Sequence, residues 1–292
     1  MLKRLGLFLL TNLLVVVTVG LILNIVLPLL GIQPQGVWAL AVFCGVFGMT
    51  GAFISLALSR WTAKRVYNIQ LIDSKTMDHN LRALYDMVAR LAKRAGLPET
   101  PEVGIYDSPD PNAFATGPSK SKSLVAFSSG LLRSMESSEV EAVAAHEITH
   151  ISSGDMVTMT LLTGIANALV MFLSRLVAQV IDSFFRDEDG DGGLGFFGYI
   201  MVVMLLDTFF MLLASIPLAA FSRYREYRAD AGSAKLTSPG SMINALRSLG
   251  KMMDIPTQKD SFAMSKINSS RRVSLFATHP SLEDRIARLS KA

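Results

Sequence analysis

Cysteine is almost absent from this chain, and charge is thin. Cys44 is the single cysteine among 292 residues. No internal disulfide can form, and because Cys44 falls in a long uncharged run, no thiol is left for a soluble nucleophile or a zinc site. Histidine is nearly as scarce, with four copies. Only 18% of residues are charged while 50% are hydrophobic, and the mean hydropathy of +0.39 is too high for an ordinary soluble domain. Internal repeats and long low-complexity tracts are also missing.

What the chain has instead is long apolar runs. Leu5 to Leu30 and Val37 to Ser59 carry no charge, Thr160 to Ile181 carries only Arg175, and Leu194 to Phe221 carries only Asp207. A helical span needs about 20 apolar residues, so these runs predict four transmembrane helices at about 5–30, 37–59, 160–181 and 194–221. The first is too long for a signal-peptide core and lacks a small-x-small site, so it reads as an anchor. Arg175 and Asp207, in adjacent spans where ionisable groups are costly, are expected to pair across the hairpin, with a part in admitting substrate as the second reading.

Basic residues flank the spans on one side. Lys3 and Arg4 precede the first, Arg60, Lys64 and Arg65 follow the second, and Arg223, Arg225 and Arg228 follow the fourth. The connector from Asp182 to Gly193 is mainly acidic. By the positive-inside rule both termini and the middle segment face the cytoplasm. The net charge of +4 and pI near 9.2 come from these flanks and need no nucleic-acid partner. The acidic loop from Asp187 to Gly192 imitates a calcium loop, but Gly198 stands where the closing glutamate belongs, so a solvated turn is expected.

The middle segment reads as a soluble α+β unit. Leu81, Leu84, Val88, Leu91 and Ala92 recur at helical spacing until Gly96-Leu97-Pro98 stops them. Glu102 to Tyr106 and Ser123 to Ser129 read as strands, Asp107 to Asn112 as a loop, and Ala113 to Thr116 as extended chain. Ser138 with Glu141 fits a capping box, which starts the next helix at Glu139 and leaves it amphipathic, with one side toward water.

That helix carries His146-Glu147-Ile148-Thr149-His150. Histidines four residues apart on a helix share a face and can grip one Zn²⁺, and Glu147 between them can serve as general base to an activated water. A third protein ligand is required. A histidine six residues after His150 is one arrangement, but Met156 occupies that place. A glutamate on a later helix is another, and Glu226, just past the fourth span, is the strongest candidate. Asp230 shares its helical face and can accept the outer N–H of a liganding histidine. His279, in Thr278-His279-Pro280 ahead of a final helix, is the candidate donor to the oxyanion; His79 has no such context and reads as a surface residue.

His146 to His150, Gly154-Asp155, Arg225-Glu226 with Asp230 to Ala234, Leu10 to Leu13, Asn112 to Gly117 and Thr278 to Pro280 together resemble the HtpX family of membrane-bound zinc metalloproteases, relatives of the CAAX prenyl proteases. The resemblance implies a mainly α membrane protein of four transmembrane helices with a cytoplasmic α+β zincin-like metallopeptidase domain. It divides the chain into a hairpin at 1–60, a zincin part at 61–159, a second hairpin at 160–221 and a cytoplasmic part at 222–292. It places one Zn²⁺ on His146, His150 and Glu226, with Glu147 catalytic. It implies a substrate-receiving edge at Asn112, Ala113, Phe114, Ala115, Val125 and Phe127. It further implies a multi-pass protein of the bacterial cytoplasmic (inner) membrane that degrades unfolded or misassembled membrane proteins under stress and can cleave itself, with no nucleic-acid partner and no small-molecule cofactor. Family members often carry histidines beside the third ligand, where this chain has Tyr224 and Arg228.

Two other readings fit parts of the pattern. A site-two-type intramembrane protease would use Asp207 as the third ligand inside the bilayer. A non-catalytic membrane scaffold would carry HExxH by accident and bind no stoichiometric zinc.

Overall fold

The computed structural model describes residues 36–187, 192–253 and 275–291, with isolated positions between 14 and 29. The first expected span, at 5–30, and most of the acidic loop therefore lie outside the described residues. The chain forms two compact units, Met1–Leu56 with Thr158–Leu218, and Ala57–Val157 with Ala219–Ala292.

Among the described residues, three helices are long and apolar enough to cross a membrane: α1 (Gly36–Val66), α5 (Asp155–Ser183) and α6 (Gly195–Leu236). They contain the runs at 37–59, 160–181 and 194–221. Outward-facing Phe196, Phe197 and Leu205 suit a lipid surroundings. In the first unit, α1 and α5 pack through small residues. A Cβ on Gly48 would come within 2.7 Å of the Ala168 backbone nitrogen, so only glycine allows this approach. Arg175 and Asp207 stand opposite one another at 3.7 Å.

The helix that holds the fourth expected span does not stop with the apolar run at Phe221. Helix α6 continues to Leu236, 42 residues or about 63 Å. Tyr, Arg, Glu, Ala and Asp after Ser222 are all compatible with a helix, and nothing breaks it before Ser238-Pro239, where proline opens the next one.

The second unit is built on a four-stranded sheet ordered β1-β2-β4-β3, from Gln70–Leu71, Glu102–Tyr106, Leu124–Ser128 and Ala113–Thr116 respectively. β2 and β4 run parallel, with Val103 opposite Val125, and β3 pairs antiparallel to β4, with Ala115 opposite Val125. Helix α2 (His79–Arg94) is capped by Asp78, which accepts from the Asn80 and Leu81 amides, and His79 is exposed. Helices α3 (Ser129–Ser134), α4 (Ser137–Ser153), α7 (Pro239–Met253) and α8 (Leu282–Leu289) complete the unit.

Two expectations for the HExxH helix, α4, are overturned. Its cap is not Ser138: the helix begins at Ser137, after an extended Glu136 whose amide donates to Glu139 at 3.1 Å. Nor does one side face water. From Glu139 to Ile151 every side chain is buried or half-buried, because α4 packs against α2, α7, β3 and β4. Ala142, Ala144 and Ala145 are small enough to let neighbours close in all round.

A third correction concerns substrate. Val125 and Phe127 are 0% exposed and lie on β4, flanked by β2 and β3. They belong to the core and cannot line a receiving edge. Among the described residues β3 pairs with β4 alone and the two-residue β1 with β2 alone, so the longer of the two open edges is Ala113–Thr116.

Candidate metal centre

Helix α4 alone brings His146 and His150 together, their rings meeting edge-on with Nε2 atoms 3.1 Å apart. The third partner arrives because the end of α6 packs onto α4 at very close range. A Cβ on Gly232 would sit 2.3 Å from the Thr149 methyl, so glycine is required there, and Ser233 donates to the Ala142 carbonyl at 2.7 Å. One and a half turns earlier on α6, Glu226 reaches both rings, its carboxylate oxygens 3.6 Å from His146 Nε2 and 3.4 Å from His150 Nε2.

The outer nitrogens are also claimed. Gly154, in the left-handed conformation at φ 70°, ends α4 and turns the chain so that Asp155 faces back. Asp155, 1% exposed, takes the His150 Nδ1 proton at 2.7 Å and is itself paired with Arg228. Asp230 stands 3.0 Å from His146 Nδ1, to one side of its hydrogen-bonding direction. Arg285 of α8 grips Asp230 with two hydrogen bonds, 2.8 and 2.6 Å.

These partners decide what the centre can hold. A neutral imidazole has one donor and one acceptor nitrogen. With the His150 Nδ1–H donated to Asp155 and the Asp230 carboxylate beside His146 Nδ1 to favour a proton there, both Nε2 atoms present lone pairs to each other and to Glu226. Three acceptors converging at 3.1–3.6 Å can be satisfied only by a cation or by added protons. The spacing matches the roughly 3.3 Å between ligands of a tetrahedral zinc with bonds near 2.0–2.1 Å. The electrostatics agree. Burial pushes His150 down, but Asp155 and Glu226 outweigh it and raise its pKa to about 9. Burial likewise opposes a charge on His146, yet Asp230 and Glu226 hold its pKa above the usual value. Burial pushes Glu226 up, but contacts with His146, His150 and His279 hold it well below the carboxylate range.

Glu147 is half-buried between the two histidines in sequence. His279 stands with Nδ1 3.3 Å from Glu226, its ring 67% exposed. Its segment is fastened by Arg223, which donates to the Ala277 carbonyl at 2.6 Å and to Leu275 at 3.3 Å. Asn112 is held through its backbone to Ser128, while Ala113, Phe114 and Ala115 lie half-buried along the open edge. The structure thus brings together His146, His150, Glu226, Asp230 and His279. The sequence expectations had no role for Asp155, Arg223, Arg228 or Arg285 in holding them.

Residues 78–292 match the family model described as peptidase family M48. Protease HtpX of Aeromonas hydrophila is 48% identical over 290 residues, covering 98% of this chain and 99% of its own. A protease HtpX homolog of Bacillus licheniformis is 44% identical over 297 residues, covering 98% of each. The crystal structure of S. mikatae Ste24p shares the fold with a TM-score of 0.59 at 23% identity; the match covers 99% of this chain and 66% of that one.

Proposed function

The chain belongs to peptidase family M48 and is a membrane metallopeptidase, and from that premise we propose that it is a zinc-dependent endopeptidase acting on misfolded or misassembled membrane proteins. The observation that carries the zinc assignment is the convergence of His146, His150 and Glu226, with His150 Nδ1 hydrogen-bonded to Asp155 and the Asp230 carboxylate 3.0 Å from His146 Nδ1. Two imidazoles and a carboxylate with a free fourth position favour zinc over harder divalent ions.

Zinc held by His146, His150 and Glu226 would activate a water near neutral pH and polarise the scissile carbonyl. Glu147 takes the proton of the attacking water and hands it to the leaving amine. His279 donates to the carbonyl oxygen as it gains charge. Asp155 and Asp230 hold the two imidazoles in the tautomer that keeps Nε2 free, and Arg228 and Arg285 hold the carboxylates. The client lies extended along Ala113–Thr116, its backbone pairing with the open edge of β3. Because this reads backbone more than side chains, it suits a quality-control enzyme, including one that cleaves its own kind.

Four spans, with both termini and the zinc centre in the cytoplasm of a bacterial inner membrane, fit the basic flanks at Lys3, Arg60, Lys64, Arg65 and Arg223. The site-two alternative has less support, because the carboxylate within 3.4–3.6 Å of both histidines is that of Glu226.

Wild type and Glu147→Gln, purified with chelator and reloaded with zinc, provide the test. Wild type should cleave an unfolded reporter, and itself, only with zinc, while Glu147→Gln binds zinc one-to-one and cleaves neither. A wild type that binds no stoichiometric zinc would leave the scaffold reading standing.

A further inference from the structure

The first unit carries an open cavity of about 640 Å³ whose walls include Gly51, Asn167, Val170, Met171, Asp207 and Thr208. Its size falls within the range of natural ligand clefts, about 300–1,000 Å³. We propose that this cavity receives a lysine or arginine side chain carried within a transmembrane segment of a client protein, with Asp207 as its acceptor. The proposal rests on the endopeptidase reading and names the clients it selects.

Three observations carry it. Asp207 Oδ1 is buried without a hydrogen-bond partner. Its ion-pair partner Arg175 stands 3.7 Å away, beyond hydrogen-bond reach, because the same guanidinium nitrogen donates to the Met171 carbonyl at 3.0 Å. A carboxylate can only accept, so an unsatisfied oxygen in an apolar surrounding calls for a donor, and one bearing positive charge serves best.

The rest of the wall suits the aliphatic stem of such a side chain. Val15, Phe47, Val170, Met171 and Met211 are apolar. Gly51 lets a foreign helix approach. Unlike Gly48, which is consumed by packing on Ala168, a Cβ at Gly51 would meet nothing closer than Val15 at 4.0 Å.

Depth excludes an anionic lipid headgroup. Asp207 stands twelve residues after Gly195 at the start of α6 (207 − 195), roughly 18 Å along the helix, within an otherwise uncharged run. Phosphates lie at the membrane boundary and would be repelled by the carboxylate. A charge within a client's span is normally paired inside its own assembly, and an orphaned subunit exposes it. A site that accepts such a charge therefore distinguishes unassembled clients from assembled ones.

The test uses the full-length, zinc-loaded protein in nanodiscs and two clients that differ at one position. Each is a single apolar span with an unfolded tail, carrying lysine or leucine at mid-span. The quantity read is the ratio of kcat/KM for the two clients on the same enzyme preparation, so overall activity cancels. Wild type should favour the lysine client about tenfold. Asp207→Leu should bring the ratio near one. So should Gly51→Leu, which fills the cavity and leaves the carboxylate in place. A wild-type ratio near one, or a preference that survives both substitutions, overturns the proposal. If wild type cleaves neither client nor a soluble unfolded polypeptide, the peptidase reading falls. The affinities of the two clients, read by fluorescence anisotropy, then give the same ratio and decide the cavity by themselves.

Discussion

Asp155, five residues after His150, turns back to take its Nδ1 proton at 2.7 Å while being almost wholly buried. The left-handed Gly154 between helices α4 and α5 makes this return possible. Asp155→Ala should weaken zinc affinity about 10–100-fold, the usual cost of removing a carboxylate from a liganding histidine. Competition against a chromophoric chelator measures it. An unchanged affinity would show that ring orientation is set by packing alone.

The pH dependence of the chelator-stripped protein follows from His150. Its pKa is raised from 6.5 to about 9, so the folded protein holds that proton more tightly than the unfolded chain does. The resulting stability is fully present below pH 6.5 and is lost as pH rises through about 9. Glu226, held low, acts in the opposite direction: its contribution is present above its ordinary value of 4.5 and is lost as pH falls toward its depressed folded-state value. Scanning fluorimetry in detergent should therefore show Tm falling between pH 6.5 and 9, a decline that saturating zinc removes.

Gly232→Ala should destabilise the protein by about 1–3 kcal/mol and lower zinc occupancy, since the new methyl overlaps Thr149. Adding Thr149→Ala removes the nearest colliding atoms and should restore part of both. Chemical denaturation and zinc content of the single and double variants provide the cycle.

His279→Ala should lower kcat about 10²–10³-fold, as loss of one oxyanion donor does, with zinc content unchanged. Arg223→Met, which frees the segment carrying His279 from α6, should show a smaller loss of the same kind. Zinc release from His279→Ala would instead make the residue a ligand.

Some of this was legible in the residues, and the reasons are local. His146 and His150 fall on one face because helix geometry fixes a four-residue spacing. The strands Glu102–Tyr106 and Leu124–Ser128 stood out between turn formers, as did the helix of Leu84, Val88 and Leu91. Asp155 was visible too, but in sequence Gly154-Asp155 reads only as a helix stop; its partnership with His150 needs the turn in three dimensions. The apolar run of the fourth span ends at Phe221 in the sequence, but the helix runs on to Leu236 because polarity changes at Ser222 while helical propensity does not. The burial of α4 was missed because alanine gives no strong apolar stripe, and only its packing against α2, α7, β3 and β4 reveals that it is central. Val125 and Phe127 were assigned to an edge because strand order cannot be read from one strand's composition.

The order in which the chain is made also matters. His146 and His150 are synthesised first, and Glu226 follows 80 residues later (226 − 146), after the whole of α5 and most of α6. Arg285, which steadies Asp230, comes later still. A chain arrested on the ribosome before Glu226 owns two of the three proposed ligands and a glutamate with no activated water to serve. Under the proposed zinc mechanism, the chain cannot cleave anything until the ribosome has passed Glu226.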